Sequence, residues 1–482
     1  MFSIGNILQG KRPEKIRFTK ISKTPSSILF PWQELIYRRI VQSNSSIIVS
    51  VPPAAGKTRP ILLGAKDLLL KHNFRYKILY SVPIQQLISN VLRDMKFEFG
   101  DEFFNKLRIG IKVAEGTPTA SLTGLVPDKD THIDIATYEY AAHLSKIFKY
   151  DLSIIDEFQE AVPLRYDPDR LSKASSYATI LSNARRIILI SGSLNRNALR
   201  DLSEAIKTYT NIRTIEILPS DTTVQDITNR SRLVVCGSGD VTNRNRLLKL
   251  IQTRILHRIG YTLVIIFSRF QIYTICEYLV KHLPKINDLD KLYPNRQFYY
   301  PNELENVDTN SIKIGNPFLR ECIERGFAYI IGGTHKVEGE LSGLDKQLTL
   351  LQDEKDMIAD LFANKKIYIL FATDAVGLGI TLRVETLIIP SIKKFAGAGV
   401  GFTHLDPSSL VQVLHRAGRG HFPTAYIITS PDHVDHIKKA LQQNPVLDID
   451  EPNTVDLKRM LVLHSPRKMS FREKLYRIFS MT

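Results

Sequence analysis

The sequence predicts an α/β protein with mostly parallel sheets, because strand-like and helix-like segments alternate along its 482 residues. Short runs rich in β-branched residues recur: SIIVSV (46–51), YKILYSV (76–82), HIDIATY (132–138), DLSIID (151–156), RRIILIS (185–191), YTLVIIF (261–267), IYILFAT (367–373), TLIIP (386–390) and AYIIT (425–429). They are near-continuously apolar rather than alternating, the pattern of strands buried on both faces of a parallel sheet. Between them lie segments of helical period, such as PIQQLISNVLRDMKFEF (83–99) and FQIYTICEYLVKHL (270–283), which suit the crossovers that parallel strands require. A chain of this length holds two or three domains, each able to bury its own core.

From the amino end, residues 1–27 read as a short extension and 28–219 as the first domain. A seam falls in the polar LPSDTTVQDITNRS (218–231), after the strand TIEIL, and 220–430 form the second domain. Within it, residues 284–311 carry three prolines and little periodicity, as a surface insertion would. Residues 431–482 read as a short helical tail ending in the basic HSPRKMSFREKLYR. Hydrophobic residues make up 43% of the chain and charged residues 24%, as in ordinary soluble proteins. The charge balance is less ordinary: 65 Lys and Arg against 49 Asp and Glu give +16. That excess points to a polyanionic partner, nucleic acid before membrane, with an unspecialised basic surface as the alternative. Cys236, Cys276 and Cys322 are too widely spaced for a disulfide framework or a Cys-x-x-Cys metal site, which fits a reducing compartment. The amino-terminal segment lacks the apolar core of a signal peptide, and no run approaches the roughly 18 apolar residues of a membrane span. A soluble intracellular protein is expected, in cytoplasm, nucleus, or virion and viral factory, with no membrane partner.

VPPAAGKTRP (51–60) ends like a phosphate loop but has Val51 where G-x-x-x-x-G-K-[ST] begins with glycine. Its context is right: a strand leads in and RPILLGAKDLLLKH can continue as a helix. The backbone N–H groups of Pro53-Ala54-Ala55-Gly56-Lys57-Thr58-Arg59, proline excepted, then point at phosphates, Lys57 reaches the β/γ oxygens and the Thr58 hydroxyl suits Mg²⁺. A turn that merely reads Gly-Lys-Thr is the competing interpretation. About a hundred residues on, the strand DLSIID ends in adjacent Asp156 and Glu157. One carboxylate there can hold Mg²⁺ while its neighbour polarises the attacking water. A helix cap with a first-turn acid would explain either residue alone; the pairing with AGKT favours a phosphate loop.

With these residues in place, the sequence resembles superfamily-two helicases of the DEAD/DExH kind, over roughly residues 28–430. FPWQELIYRRI resembles the upstream glutamine motif, so Gln33 would read adenine with Phe30 or Trp32 packing nearby. ILYSVPIQQL, with Pro83 and Gln86, and IDIATYEYAAHL, with Thr137, resemble segments that grip the nucleic-acid backbone. ILISGSL stands at the Ser-Ala-Thr position, with Ser191 and Ser193 linking nucleotide state to domain movement. TLVIIFSRFQ resembles motif IV, giving Ser268 and Arg269 as nucleic-acid contacts, and IYILFATDAVGLGITL resembles motif V, giving Thr373 to nucleic acid and Gly377 to nucleotide, with Asp374 between. QVLHRAGRG resembles the Q-x-x-G-R-x-G-R motif, so Gln412, Arg416 and Arg419 would act on the γ-phosphate from the second domain. The resemblance implies two tandem RecA-like domains, ATP and Mg²⁺ as cofactors, and catalysis by Lys57, Asp156, Glu157, Gln412, Arg416 and Arg419. PAAGKTR is similar to flavivirus-type helicases, and DEFQ and ATDAVGLGITL to DExH enzymes of RNA surveillance such as the mitochondrial degradosome helicase, so a virus-encoded member is one expectation. Val51, Ala54, SGS and His415 depart from the common pattern. His415 replaces a glycine that allows close backbone approach, which implies weaker coupling of hydrolysis to unwinding.

Two smaller signals remain. IPSIKKFAGAGVGFTHLD (389–406) reads as a hairpin with its tip at Gly397–Gly399, either a duplex wedge or a plain surface loop, and Lys393, Lys394 and Phe395 suit phosphate contact and base stacking. His433 and His436 lie three apart on a helix without evident further metal ligands, as a solvated face would. The expected function is an ATP-dependent helicase on RNA or DNA, single-stranded or duplex with an overhang, RNA being favoured, with a protein partner supplying processivity. The alternatives are a translocase that does not separate strands and a non-hydrolysing nucleic-acid-binding subunit.

Overall fold

The computed structural model describes residues 29–51, 56–113, 125–162, 170–192, 194, 196–218, 232–288, 316–331, 350, 352–373, 382–395, 402–405, 407–418, 422, 424–442 and 454–481. The amino-terminal extension, most of the expected seam and most of the expected insertion lie outside them.

The first lobe begins with α1 (Pro31–Gln42), where Pro31 presets the first turn and the Gln33 side-chain carbonyl accepts from the Phe30 N–H. There follow β1 (Ser46–Ser50), α2 (Thr58–Lys71), β2 (Ile78–Val82), α3 (Gln86–Phe99), the single turn α4 (Asp101–Phe104), β3 (Ile109–Lys112), β4 (Ile133–Thr137) and α5 (Tyr138–Ile147). The lobe continues with β5 (Leu152–Ile155), α6 (Arg170–Asn183), β6 (Ile187–Ser191), α7 (Arg196–Tyr209) and β7 (Ile215–Leu218). The strands form one sheet in the order β3-β4-β2-β5-β6-β1-β7, every pair parallel. Ile47 and Val49 pack into the core shared with α1, α2 and α3, while Ile48 between them packs toward α5, α6 and α7. Helices on both faces therefore account for strand segments that are apolar throughout.

The second lobe comprises β8 (Arg232–Gly237), α8 (Arg244–Leu256), β9 (Thr262–Ile265), α9 (Arg269–His282), α10 (Pro317–Glu324), β10 (Phe327–Ile330), α11 (Gln352–Ala363), β11 (Ile369–Ala372) and β12 (Thr386–Ile389). A hairpin of β13 (Lys393–Phe395) and β14 (Phe402–His404) precedes α12 (Pro407–Leu414), β15 (Thr424–Thr429) and α13 (Val434–Gln442). Its parallel sheet has the order β10-β11-β9-β12-β15-β8. Three of its helices start on side-chain caps, Asn243, Ser268 and Asn316, each accepting a first-turn N–H.

The tail does more than hang from the second lobe. α13 joins that lobe's core through Ile437 and Ala440. The next helix, α14 (Thr454–His464), crosses back and buries Leu457 and Leu461 in the first lobe's core, against α6 and α7. Its amino end is pinned by Asp201, which accepts from the Thr454 hydroxyl at 3.2 Å and pairs with Lys458. At its other end His464 Nε2 lies 3.0 Å from Ser175 Oγ, and the Arg467 guanidinium donates to the Lys207 and Thr210 carbonyls at the end of α7. A last helix, α15 (Phe471–Phe479), rests on α14. Among the described residues no helix is long and apolar enough to cross a membrane.

Candidate functional site

The nucleotide-side residues collect where strands of the first sheet end. Gly56 stands at φ +86, a left-handed conformation that suits glycine, and its carbonyl accepts from Gln33 Nε2 at 3.0 Å. A Cβ at Gly56 would sit 3.0 Å from that same nitrogen. Gln33 is buried, and its amide bridges the Phe30 N–H and the loop, so it braces the loop whatever it does toward adenine. Lys57, 8% exposed, precedes the first turn of α2, which begins at Thr58. Arg59 pairs with Glu98 of α3 at 3.3 Å. Pro53, Ala54 and Ala55 lie outside the described residues.

Asp156 follows β5, with its N–H bonded to the Ser81 carbonyl of β2. Its carboxylate is 8% exposed and accepts from the Tyr80 hydroxyl at 3.0 Å and from the Glu157 N–H at 2.9 Å. Burial raises its proton affinity above the usual carboxylate range, Glu157 adds to that, and Lys57 and the Tyr80 hydroxyl oppose it. A desolvated carboxylate balanced by one lysine fits a divalent cation, so the donor set of Asp156 and Thr58 is suited to Mg²⁺. Glu157 takes φ +48, a left-handed backbone that a non-glycine residue rarely adopts, at the entry to a 3₁₀ turn. Gln159 donates to the Glu157 carboxylate, and its carbonyl accepts from Ser191 Oγ at 3.1 Å; Ser191 Oγ in turn accepts from the Leu194 N–H at 3.3 Å. A continuous polar path thus joins the Asp-Glu pair to the end of β6. Tyr80 and Gln159 were not among the expected site residues. A tyrosine within an otherwise aliphatic strand, and the fourth position of DEFQ, were the available signals.

The nucleic-acid candidates of this lobe use the same edge. Pro83 directly follows β2, Gln86 opens α3, and Thr137 ends β4, whose partner in register is Val82. In the second lobe Thr373 follows β11, and Ser268 and Arg269 sit just beyond β9. These two strands are neighbours, with Ile265 opposite Ala372, so the three residues share one carboxyl edge. Arg416, buried, comes after α12, close to Gly418, whose N–H bonds to the Val384 carbonyl ahead of β12. It therefore lies toward the amino edge of the second sheet. Gln412 is on α12, whereas Gly377, Asp374, Ser193 and Arg419 are outside the described residues. His415 keeps a helical N–H bond to Val411, and the left-handed residue of this turn is Gly418 at φ +84.

The hairpin forms with Lys393 opposite His404 and Phe395 opposite Phe402; its expected glycine tip is outside the described residues. It brings a third imidazole to the expected pair: His404 lies 5.3 Å from His436 and 6.4 Å from His433, ring centre to ring centre. Among the described residues no group of His, Cys, Asp or Glu has the arrangement to hold a metal ion.

Known proteins agree with this architecture. The DEAD/DEAH box helicase family matches residues 30–202, and the helicase conserved C-terminal domain matches residues 334–421. Activating signal cointegrator 1 complex subunit 3 of Dictyostelium discoideum is 23% identical over 432 residues, covering 84% of this chain and 18% of the relative. RQC trigger complex helicase SLH1 of Saccharomyces cerevisiae is 21% identical over 460 residues, covering 88% and 21%. Pre-mRNA-splicing factor brr2 of Schizosaccharomyces pombe is 23% identical over 442 residues, covering 85% and 18%. The chain thus spans about a fifth of the length of these relatives. All three are eukaryotic, and the expected viral origin finds no support in them. With a DEAD/DEAH box domain followed by a helicase C-terminal domain, each on its own parallel sheet, the chain belongs to the superfamily-two helicases of the DExH/DEAD type.

Proposed function

We propose that the protein is an ATP-dependent helicase acting on RNA, with nucleotide bound between the lobes and the strand held along the strand-end residues of both sheets. The observation that carries this reading is the junction of Lys57, Asp156 and Glu157, braced by Tyr80 and Gln159. Lys57 neutralises the terminal phosphates, and Asp156 with Thr58 holds Mg²⁺, which when bound supplies charge compensation at those phosphates. Glu157 orients and deprotonates the attacking water; Gln159 fixes its carboxylate and links it to Ser191. Arg416, with Arg419, adds positive charge to the γ-phosphate as the lobes close. Pro83, Gln86, Thr137, Ser268, Arg269 and Thr373 contact the backbone of the strand, and the β13–β14 hairpin separates the duplex ahead of it.

RNA is favoured over DNA by one of the relatives, which is named as a pre-mRNA-splicing factor, while another is named as a helicase of the RQC trigger complex. Those names describe complexes or splicing, which also favours a protein partner here. The direct test is steady-state phosphate release with single-stranded RNA and DNA, alongside unwinding of a duplex with an overhang. RNA should stimulate turnover more than DNA, and Glu157→Gln should abolish hydrolysis while trapping an RNA-bound state. Stimulated hydrolysis without strand separation would instead identify a translocase. Absence of hydrolysis under all conditions would identify a non-hydrolysing binding subunit.

A further inference from the structure

The last helix turns its polar side to the protein and its apolar side to water. α15 starts on Ser470, whose hydroxyl accepts from the Glu473 N–H at 3.1 Å, and ends where the Arg459 guanidinium of α14 donates to the Ile478 and Met481 carbonyls at 3.3 and 2.9 Å. Lys474 Nζ donates to the Leu463 carbonyl at 3.0 Å, Arg477 pairs with Glu473 at 2.8 Å, and the same guanidinium lies 5.9 Å from the Tyr209 ring centre. Facing outward are Phe471, Leu475, Tyr476 and Phe479, which are 76, 36, 74 and 78% exposed. Their spacing of four, one and three residues makes one continuous ridge. A solvated helix normally presents the opposite faces, and a contiguous apolar ridge of this kind marks an interaction site. Lys468, ahead of the helix, and Arg472, on the ridge's own side three residues before Leu475 and four before Tyr476, are exposed as well, while the helix's one acidic residue, Glu473, is held by Arg477.

We propose that the outer face of α15 docks an acidic amphipathic helix of a partner protein. Charge selects this occupant. A second copy of a chain of net charge +16 would bring like charge toward Lys468 and Arg472. A nucleic-acid strand could stack on the rings but would leave Leu475, in the middle of the ridge, in water. A helix with apolar anchors three and four residues apart covers all four side chains, and its carboxylates answer the positive charge of Lys468 and Arg472.

The test uses the full chain and a fluorescent synthetic helix of about five turns, with leucines along one face and glutamates elsewhere, beside the same peptide with lysines for glutamates. Anisotropy should show binding of the acidic peptide and little of the basic one. Phe471→Ala combined with Phe479→Ala should weaken binding about tenfold or more. Lys468→Glu combined with Arg472→Glu should reverse the preference between peptides. Neither variant should change melting temperature or RNA-stimulated ATPase, since none of these residues belongs to the nucleotide or strand site; the outcome is therefore separate from that of the helicase reading. Binding of neither peptide, equal binding of both, or indifference to the aromatic substitutions overturns the proposal. So does protection of α15 from hydrogen exchange by oligouridylate or phosphatidylserine vesicles in place of the peptide, or a dimer in sedimentation that the double alanine variant dissolves.

Discussion

The two lobes share a sheet architecture but present their candidate residues differently. In the first, Lys57, Pro83, Thr137 and Asp156 all stand at or beyond the carboxyl ends of strands, so one edge carries the candidates for both nucleotide and nucleic acid. In the second, Ser268, Arg269 and Thr373 gather at the carboxyl edge while Arg416 lies toward the amino edge. In the first lobe a hydrogen-bonded path runs sideways along this edge, from Glu157 through Gln159 to Ser191. In the second lobe the two groups lie toward opposite edges of the sheet, and packed cores in general transmit change by moving as bodies rather than by deforming.

The difference between the lobes rests most heavily on Lys57. Lys57→Ala should lower RNA-stimulated phosphate release by about a thousandfold or more, since the charge facing the terminal phosphates is lost. Retention of a tenth of the activity would remove the first lobe's edge from the chemistry. On the second lobe, Arg416→Ala should cost about a hundred- to a thousandfold in kcat with little change in KM for ATP, because an arginine acting on γ-phosphate charge works mainly in the transition state. A raised KM with normal kcat would move Arg416 from catalysis to nucleotide binding, and Arg416→Lys separates charge from packing.

Gln159→Ala sharpens the idea of a sideways path. RNA stimulation should fall about tenfold while basal hydrolysis changes less, and equal losses in both would make Gln159 a positioning residue for Glu157 alone. The smallest effect concerns Asp94 on α3, whose carboxyl is pushed up to about 6 by burial, with Arg93 opposing and Glu98 adding. The folded chain keeps this proton where the unfolded chain has released it. The contribution to stability is therefore complete below about pH 4 and is lost as pH rises through about 6. Asp94→Asn should raise the melting temperature by about 2–4 °C at pH 8 and hardly at all near pH 4; the same shift at both would rule out titration as its cause.

Much of the fold was legible because strands covered on both faces need apolar residues at every position, as Ile47, Ile48 and Val49 show. The strands that escaped notice had less to signal. β3 and β8 lie at sheet edges, β8 is only partly buried, and β10 is four residues long, entered from Gly326 at φ +83. Lys57, Asp156 and Glu157 were readable because chemistry and covalent neighbours coincide. Tyr80 was not, since its contact with Asp156 depends on how β2 and β5 are registered, with Ser81 opposite Ile155. The third histidine near His433 and His436 was hidden for the same reason, being supplied by a hairpin nearly thirty residues earlier. Likewise, Leu457 and Leu461 announce an amphipathic helix but not which lobe will receive it.

α14 sets the timetable of folding during synthesis. The ribosome releases residues 29–218 first, yet α6 and α7 acquire their outer cover only when Leu457 and Leu461 emerge; Asp201 meets Thr454 across 253 positions. At about 5–20 residues per second the nascent first lobe waits roughly ten to fifty seconds with that apolar surface bare. Contacts so distant along the chain also form slowly once both partners are present. The second lobe can close its sheet in the meantime, so the lobe made earlier is the one finished later, and the interval is a natural point for a chaperone to act.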